Sequence, residues 1–351
     1  MKGFYAVIAR CPFARYRKSD SKMIAYLFGA GASAHADYPL ASNLLLELSN
    51  WLDDPNVQMQ GVEKFRVLIA QLRDRFRSLE DFERILSILG SDSHNRVKLG
   101  SDAAQSETRS LDRRYQREDL VSAIREFFYH IEKRRVATRA YRDFGRRRAS
   151  VGDTLITFNY DVALERALKT EGKWDIGTGY GFPLFPERPQ SPLTVFKMHG
   201  SVNWFKEPIR NTPPPLMFSS DLELLGYNDI KDRRIGRSGC GVDNTQTLIL
   251  PDTDKRFYWE QLWLPLWESA ARRLRSVREV FIHGYSLPCA DARARRLLFD
   301  NISPRALVHI FCRGDSERIA AEFRQRGFSD VRPNSEIRFE VWSSDSGLEG
   351  C

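Results

Sequence analysis

The spacing of apolar residues along the chain predicts short buried strands followed by amphipathic helices. The apolar run Met23–Phe28 ends at glycines, which is typical of a buried strand that leads into a tight turn. Leucines then recur at every fourth position, so Pro39–Leu52 is predicted to form an amphipathic helix. The leucines on this face are Leu40, Leu44, Leu48 and Leu52.

Further helical patterns follow before the next strand. Ser78–Leu89 opens with Ser78 and Asp81 at capping-box spacing, and Asp119–Arg135 ends in cations that suit a helix C-terminus. Their apolar faces carry Leu79, Phe82, Leu86 and Leu89, and then Leu120, Ile124, Phe127, Phe128 and Ile131. The polar, aperiodic segment Gly90–Ser110 between them is predicted to be a mobile loop. An ordinary dinucleotide fold would instead continue after Leu52 with a second strand, which ends in an acidic residue about 20 positions after the glycine turn.

From Asp153 onwards, strand patterns again alternate with helical ones. The strand candidates are Thr154–Asn159, Thr194–Gly200, Thr247–Pro251, Glu279–Ser286, Ala306–Cys312 and Glu336–Trp342. The helix candidates are Asp161–Lys169, Trp259–Leu274 with an interruption near Pro265, Ala290–Asn301 and Ser316–Gly327, while Glu207–Met217 is Pro-rich and reads as irregular. Such alternation predicts an α/β fold with a Rossmann-like parallel sheet covered on both faces. We expect residues 23–52 and 150–351 to form this domain, residues 53–149 a helical insertion and residues 1–22 an extension.

Composition narrows the class of protein. With 28% charged and 42% hydrophobic residues the chain is typical of a globular protein, and no apolar run is long enough to cross a membrane. The net charge of +8 suits phosphate-bearing partners, but the cations lie beside helical patterns and favour solvated helix faces over a nucleic-acid surface. The five cysteines are dispersed, and residues 1–22 lack the features of a signal peptide, which together indicate a reducing cytoplasm.

Chemically distinctive residues fall at the carboxyl ends of four predicted strands. They are Gly29–Ser33, Asn159 with Asp161, His199, and Gly284–Ser286. Each has an ordinary structural alternative: a helix cap for Asn159, Asp161 or Ser286, and a plain turn at His199. Ligands of open parallel sheets bind at the carboxyl ends of the strands, so the four groups together predict one shared site.

The segments GAGAS, TFNYD, KMHGSVNW and HGYSLPCAD occur in this order and resemble the sirtuin-like NAD-binding family. The chain is most similar to the bacterial sirtuin-like domains that hydrolyse NAD during antiphage defence. Deacylating sirtuins carry P-D-F-R where this chain has Pro39–Ser42, and glutamine where it has Phe158. Their zinc ribbon of two C-x-x-C pairs is also missing from this sequence.

The resemblance implies a role for each group of site residues. Backbone N–H groups of the glycine turn would hold the pyrophosphate at a helix N-terminus; these residues are Gly29, Ala30, Gly31, Ala32 and Ser33. His199 would be the general base, and Asn159 would bind the ribose or orient the attacking water. Asp161 would keep the nicotinamide side polar. The adenosine end would be bounded by Gly284, Ser286 and Asp291.

No metal site is predicted, because the other histidines stand apart from one another at spacings unlike those of metal ligands. These are His35, His94, His130, His283 and His309. His35 is expected to be exposed or to act as a cap.

The leading hypothesis is an NAD glycohydrolase that releases nicotinamide and ADP-ribose, linear or cyclic, and so drains cellular NAD. The family and the chain length suggest restraint through a homo-oligomer or a companion ATPase. Three alternatives stay open: an NAD-dependent deacylase or ADP-ribosyltransferase, a non-catalytic sensor of NAD or ADP-ribose, and an effector directed to nucleic acid. The last would bind with a steep salt dependence.

Overall fold

The computed structural model describes residues 23–59, 61–76, 78–79, 82, 85, 103–134, 138–181, 191–206, 216–218, 248 and 260–345. Its centre is a six-stranded, fully parallel sheet with strand order β3-β2-β1-β6-β7-β8. The strands are β1 (Ile24–Phe28), β2 (Thr154–Thr157), β3 (Thr194–Lys197), β6 (Glu279–His283), β7 (Leu307–Phe311) and β8 (Asp330–Asn334). A separate antiparallel pair joins β4 (Trp204–Lys206) to β5 (Leu216–Phe218). The predicted α/β fold with a Rossmann-like parallel sheet is confirmed.

The strand order places a topological switch point beside β1. This strand pairs with β2 on one side and with β6 on the other, so successive strands of the chain add to the sheet in opposite directions. Four of the five β1 residues are buried, with Ala25, Leu27 and Phe28 at 0% exposure. A crevice forms at the carboxyl ends of strands at such a point, and ligands of this fold class bind there.

Helices cover the sheet and fill the stretch between β1 and β2. They are α1 (Ala30–Ser33), a 3-10 turn (Ala34–Ala36), α2 (Leu44–Asp53), α3 (Val62–Arg75), α4 (Ala103–Lys133), α5 (Arg139–Arg147), α6 (Ala163–Thr170), α7 (Glu260–Leu274), α8 (Ala292–Phe299), α9 (Ser316–Gln325) and α10 (Phe339–Ser344). Helix α3 packs on α2 and α4, whereas α5 packs on α6 and α10. The carboxyl end of the stretch between β1 and β2 therefore contacts the helices around the sheet.

The end of the chain differs from the sequence prediction. Glu336–Trp342 was expected to be a strand, but Phe339–Ser344 forms α10, and the last strand is β8. Phe339 and Trp342, three residues apart, are both buried, while Val341 is half exposed. The pattern fits a helical face as well as a strand, and packing against α5 selects the helix. Pro333 is accommodated in β8 because this is an edge strand.

The helix predicted after the glycine turn starts later than expected. The structure begins α2 at Leu44; Asn43 holds the N-cap position, and its carbonyl accepts the N–H of Glu47 at 2.9 Å. Tyr38–Asn43 therefore precedes the helix, and Leu40 is 40% exposed.

Three other boundaries are corrected. Helix α4 begins at Ala103, so the end of the predicted loop Gly90–Ser110 is helical. This segment contains alanine, glutamine and arginine, which are good helix formers. It therefore extends the helix that the apolar face further along the chain stabilises. Helix α7 runs through Pro265 without the predicted interruption; the proline lies about one turn from the helix start and costs one hydrogen bond there. Leu216 and Met217, expected to be irregular, pair with β4.

Several predictions fall wholly or partly outside the described residues. These include the extension 1–22, most of the helix Ser78–Leu89 and most of the strand Thr247–Pro251, of which Leu248 makes an isolated bridge to Gly200. No helix in the described part of the chain is both long enough and apolar enough to span a membrane.

His283 is expected to make the stability of the protein depend on pH. Its ring is 0% exposed, stacks on Phe311 at 4.5 Å, and has no hydrogen-bond partner among the described residues. Burial lowers the pKa of His283 well below 6.5, so the folded state keeps it neutral while the unfolded chain takes up a proton. The free energy of unfolding should therefore fall as pH drops below about 6.5, by up to about 1.4 kcal/mol per pH unit from this group.

Urea unfolding between neutral and mildly acidic pH measures this slope. The variant His283→Leu should flatten it, whereas His130→Leu, at a half-buried position on α4, should leave most of it in place. An unchanged slope in His283→Leu would assign the acid sensitivity to other groups.

Candidate functional site

A cavity of about 390 Å³ lies at the carboxyl ends of β2, β1, β6 and β7. Its walls come from the glycine turn, from Tyr38–Ser42, from the residues after β2 and β3, and from the turns after β6 and β7. This volume is within the range of small-molecule sites. The predicted site residues that line it are Gly29, Ala30, Gly31, Ser33, Asn159, Asp161, His199, Gly284 and Ser286. Ala32 and Asp291 do not line it; both are fully buried.

The glycine turn packs tightly against the turn after β6. The N–H of Gly29 donates to the His283 carbonyl (2.9 Å), and the N–H of Gly31 donates to the Gly284 carbonyl (3.0 Å). A Cβ on Gly29 would come within 2.5 Å of the Tyr285 Cα, so no larger residue fits. These glycines allow two backbone segments of the protein to approach each other.

Three N–H groups of the predicted phosphate cradle are used within the protein. The N–H groups of Gly29, Gly31 and Ala32 bond to backbone carbonyls, the last at 2.9 Å to Gly29. Helix α1, which follows Gly29, has four residues and passes directly into the 3-10 turn Ala34–Ala36. A phosphate at this turn would therefore find these three donors already bonded.

Asn159 ties the end of β2 to the glycine turn. Its Nδ2 donates to the Gly29 carbonyl and to the Ser33 hydroxyl, each at 3.0 Å. Ser33 Oγ is also 2.9 Å from the Tyr141 hydroxyl, whose pKa burial raises well above 10, so that this phenol is neutral. The amide group therefore fixes the shape of the turn and lies in the cavity wall.

His199 is held between a buried carboxylate and aromatic rings. Its Nε2 is 2.8 Å from Asp291 Oδ2, and this carboxylate is 0% exposed. Tyr285 donates its hydroxyl to the same oxygen at 3.0 Å, while the N–H of Ala294 donates to Asp291 Oδ1 at 3.2 Å. Asp291 was expected at the adenosine end of a ligand; the structure instead places it against His199, as the N-cap of α8. Ser286 does not cap this helix.

Phe158 and Tyr285 form an aromatic wall beside His199. Their rings stack with centroids 4.0 Å apart and planes within 8°. Phe158 also meets His199 edge to face at 5.2 Å. Phe158 therefore packs against the histidine on one side.

Asp161 is buried at the cavity wall, and a buried ion pair lies beneath it. Its Oδ1 accepts from the N–H of Ala163, two residues along the chain, at 3.0 Å, whereas Val162 holds the N-cap position of α6. Lys197 donates to the Asp161 carbonyl and pairs with Glu165 at 2.9 Å, with both charged side chains at 0% exposure. Burial raises the pKa of Glu165, and the ammonium of Lys197 opposes that rise.

The helical segment between β1 and β2 contributes apolar residues to the cavity wall. Phe82 and Phe128 line the cavity together with Leu44, and Phe128 meets the lining residue Tyr160 edge to face at 6.1 Å. Tyr38 stacks on Phe128 at 5.7 Å. Its hydroxyl donates to the buried carboxylate of Glu132, which also pairs with Arg166. Sequence spacing identified Phe82 and Phe128 as core residues but not as part of this wall.

The turn after β7 adds cavity residues that the sequence analysis did not propose. Cys312, Arg313 and Asp315 line the cavity, and burial raises the pKa of the Cys312 thiol to about 11. Arg318 pairs with Asp315 at 2.9 Å and donates to the Ser286 carbonyl. Applying the strand-end rule to Ala306–Cys312 as well would have found this turn.

The described histidines outside the cavity have structural surroundings, whereas His94 lies outside the described residues. His35, expected to be exposed or capping, is half-buried: its Nδ1 lies 2.8 Å from the Ala32 carbonyl, and burial lowers its pKa. His309 lies 3.1 Å from Glu279 and stacks on Phe281. Within the described ranges, no group of three or more His, Cys, Asp and Glu side chains could hold a metal ion.

Solved structures of Sir2 proteins resemble this fold. One belongs to a study of the mechanism and regulation of Sir2 enzymes; it is 14% identical, with a TM-score of 0.42 over 92% of this chain and 91% of that chain. Another is a mutant of a Sir2 homologue in complex with ADP-ribose, 13% identical, with a TM-score of 0.40 over 88% of this chain and 92% of that chain. No family model and no curated protein matches the chain.

Proposed function

We propose that the protein cleaves the nicotinamide–ribose bond of NAD with water, giving nicotinamide and ADP-ribose. The observation that carries the proposal is the position of His199, a titratable base in the wall of a cavity at the switch point of a parallel sheet. The segments around it are those that resemble the sirtuin-like family. In this proposal NAD is the substrate, and no metal takes part.

The cavity suits a cationic aromatic leaving group. Its lining includes Phe82, Phe128 and Tyr160, and aromatic side chains favour contact with a flat ring. The carboxylate of Asp161 lies in the same cavity wall and favours positive charge. The oxidised nicotinamide ring is both flat and positively charged, so we place it beside Tyr160 and Asp161.

The proposed hydrolysis breaks one bond, forms one bond and transfers one proton to the protein. The C–N bond between ribose and nicotinamide breaks, and its electron pair neutralises the pyridinium nitrogen. The water oxygen bonds to the ribose C1′, and its proton passes to His199. Asn159 keeps the glycine turn in place through two hydrogen bonds while its amide lines the cavity. A positioned base of this kind contributes about 10²–10⁴-fold in rate.

The test is to incubate the purified chain with NAD and to separate the products by chromatography. We expect nicotinamide and ADP-ribose in equal amounts, without any added protein or peptide substrate. Release that depends on an acyl-lysine peptide would identify a deacylase, and radiolabel transferred to protein would identify an ADP-ribosyltransferase. Tight NAD binding without any cleavage would favour the sensor.

We further propose that the cleavage serves antiphage defence by depleting NAD, and that assembly with further copies or with a companion ATPase restrains it. The measurement is the NAD content of cells that express the chain, before and after phage infection. A fall on infection supports this role, and a constant NAD level contradicts it. Nicotinamide release by the purified chain should then be compared with and without the ATPase.

A further inference from the structure

We propose that Asp291 is a positioning residue that sets which nitrogen of His199 acts as the base. This inference rests on the proposed NAD cleavage. A carboxylate accepts hydrogen bonds, so Asp291 Oδ2 at 2.8 Å accepts a hydrogen bond from the N–H of His199 Nε2. A neutral imidazole with its proton on Nε2 has its basic lone pair on Nδ1. The proton of the attacking water therefore goes to Nδ1.

The carboxylate is itself held from two sides. The Tyr285 hydroxyl donates to Oδ2, the oxygen that faces His199, and the N–H of Ala294 donates to Oδ1. The backbone of Asp291 is anchored as well, because its N–H donates to the Pro288 carbonyl at 3.1 Å. A group fixed in this way restrains the ring it contacts.

The surroundings of the pair strengthen the contact. His199 and Asp291 are 5% and 0% exposed, and Phe158, itself stacked on Tyr285, contacts the imidazole edge to face. Hydrogen bonds to charged groups are stronger where water is excluded. A buried carboxylate without such donors would carry a large desolvation cost. The contacts from His199, Tyr285 and Ala294 therefore offset the cost of burying the Asp291 carboxylate.

A capping role alone would also explain Asp291, and one substitution separates the two roles. Serine caps helices about as well as aspartate, so Asp291→Ser retains an acceptor for the Ala294 N–H. The serine side chain is too short to reach His199. Tyr285→Phe is the partner variant: it keeps the stacking on Phe158 and the Asp291 carboxylate and removes one donor to it.

The first experiment does not require NAD. Full-length protein labelled with ¹⁵N-histidine is studied by NMR at a pH where the imidazoles are neutral, and the His199 signals are assigned from their loss in His199→Ala. We expect one tautomer with the proton on Nε2 in the wild type and a mixture in Asp291→Ser. A wild-type ring protonated on Nδ1, or already mixed, would overturn the inference.

The second experiment is kinetic. With wild-type NAD cleavage established, Asp291→Ser should lower kcat by at least about 10²-fold with KM within about threefold, because the histidine loses its orientation and tautomer. The kcat of Tyr285→Phe should lie between those of the wild type and of Asp291→Ser. The unfolding temperature of Asp291→Ser should stay near that of the wild type. Wild-type kcat in Asp291→Ser would refute the positioning role. A wild type that leaves NAD intact would refute the proposed function alone, because the tautomer measurement still decides the role of Asp291.

Discussion

Replacing His199 with alanine is expected to lower kcat/KM for NAD cleavage by about 10²–10⁴-fold, the usual contribution of a positioned general base. The imidazole lies in the cavity wall, with its Nε2 fixed by Asp291. Alanine leaves water without a proton acceptor at this position. The rate is measured as nicotinamide released at several NAD concentrations, so that changes in kcat and KM are separated.

Two controls make this result specific. His130→Ala removes a half-buried histidine on α4, outside the cavity lining, and should cleave NAD at the wild-type rate. ADP-ribose should bind His199→Ala within about threefold of the wild-type affinity, since the histidine is assigned to chemistry rather than to holding the dinucleotide. A His199→Ala protein that retains the wild-type rate would show that another group is the base.

Replacing Gly284 with alanine is expected to destabilise the fold by about 2–5 kcal/mol, from about 1–2 kcal/mol for a left-handed backbone and about 1–3 kcal/mol for overpacking. Gly284 has a φ of +61°, and a Cβ there would lie 2.3 Å from the Ala32 nitrogen and 2.4 Å from the Gly31 carbonyl carbon. These are backbone atoms of the facing turn, so no side-chain rotation relieves the contact. The free energy of unfolding in urea measures the loss.

Gly327→Ala is the matched control. Gly327 has a φ of +88°, and no atom lies within 4 Å of the position its Cβ would take. It should therefore lose about 1–2 kcal/mol from backbone strain alone. Equal losses in the two variants would mean that the two turns move apart readily and that their close contact does not stabilise the fold.

The sequence was sufficient for the fold class because period and length are local properties. Met23–Phe28, Thr154–Asn159 and Glu279–Ser286 read as buried strands, and β1, β2 and β6 lie within them. The same locality explains the errors. Residues Phe339–Ser344 fit either period, and contact with α5 decided for a helix. The start of α4 at Ala103 follows from helix propagation out of an apolar face downstream.

For the candidate site, too, the sequence located several residues but not the contacts between them. The rule that ligands bind at strand ends selected Asn159, His199 and Gly284 before any distance was known, and the structure brings all three to one cavity. The sequence could not show why glycines occur in this turn. Their spacing does not reveal whether the space beside them holds a ligand or another backbone segment. Tyr285 and Gly284 fill that space.

The sequence by itself determined the parallel α/β sheet, the strand ends that carry polar residues and the resemblance of four segments to the sirtuin-like family. The tertiary structure alone decided that Asp291 faces His199, that Phe158 stacks on Tyr285 and that Phe82 and Phe128 line the cavity. The physical reason is that periodicity records which side of an element is buried. Which buried groups meet depends on strand order and on packing between distant segments, and the sequence pattern does not encode these locally.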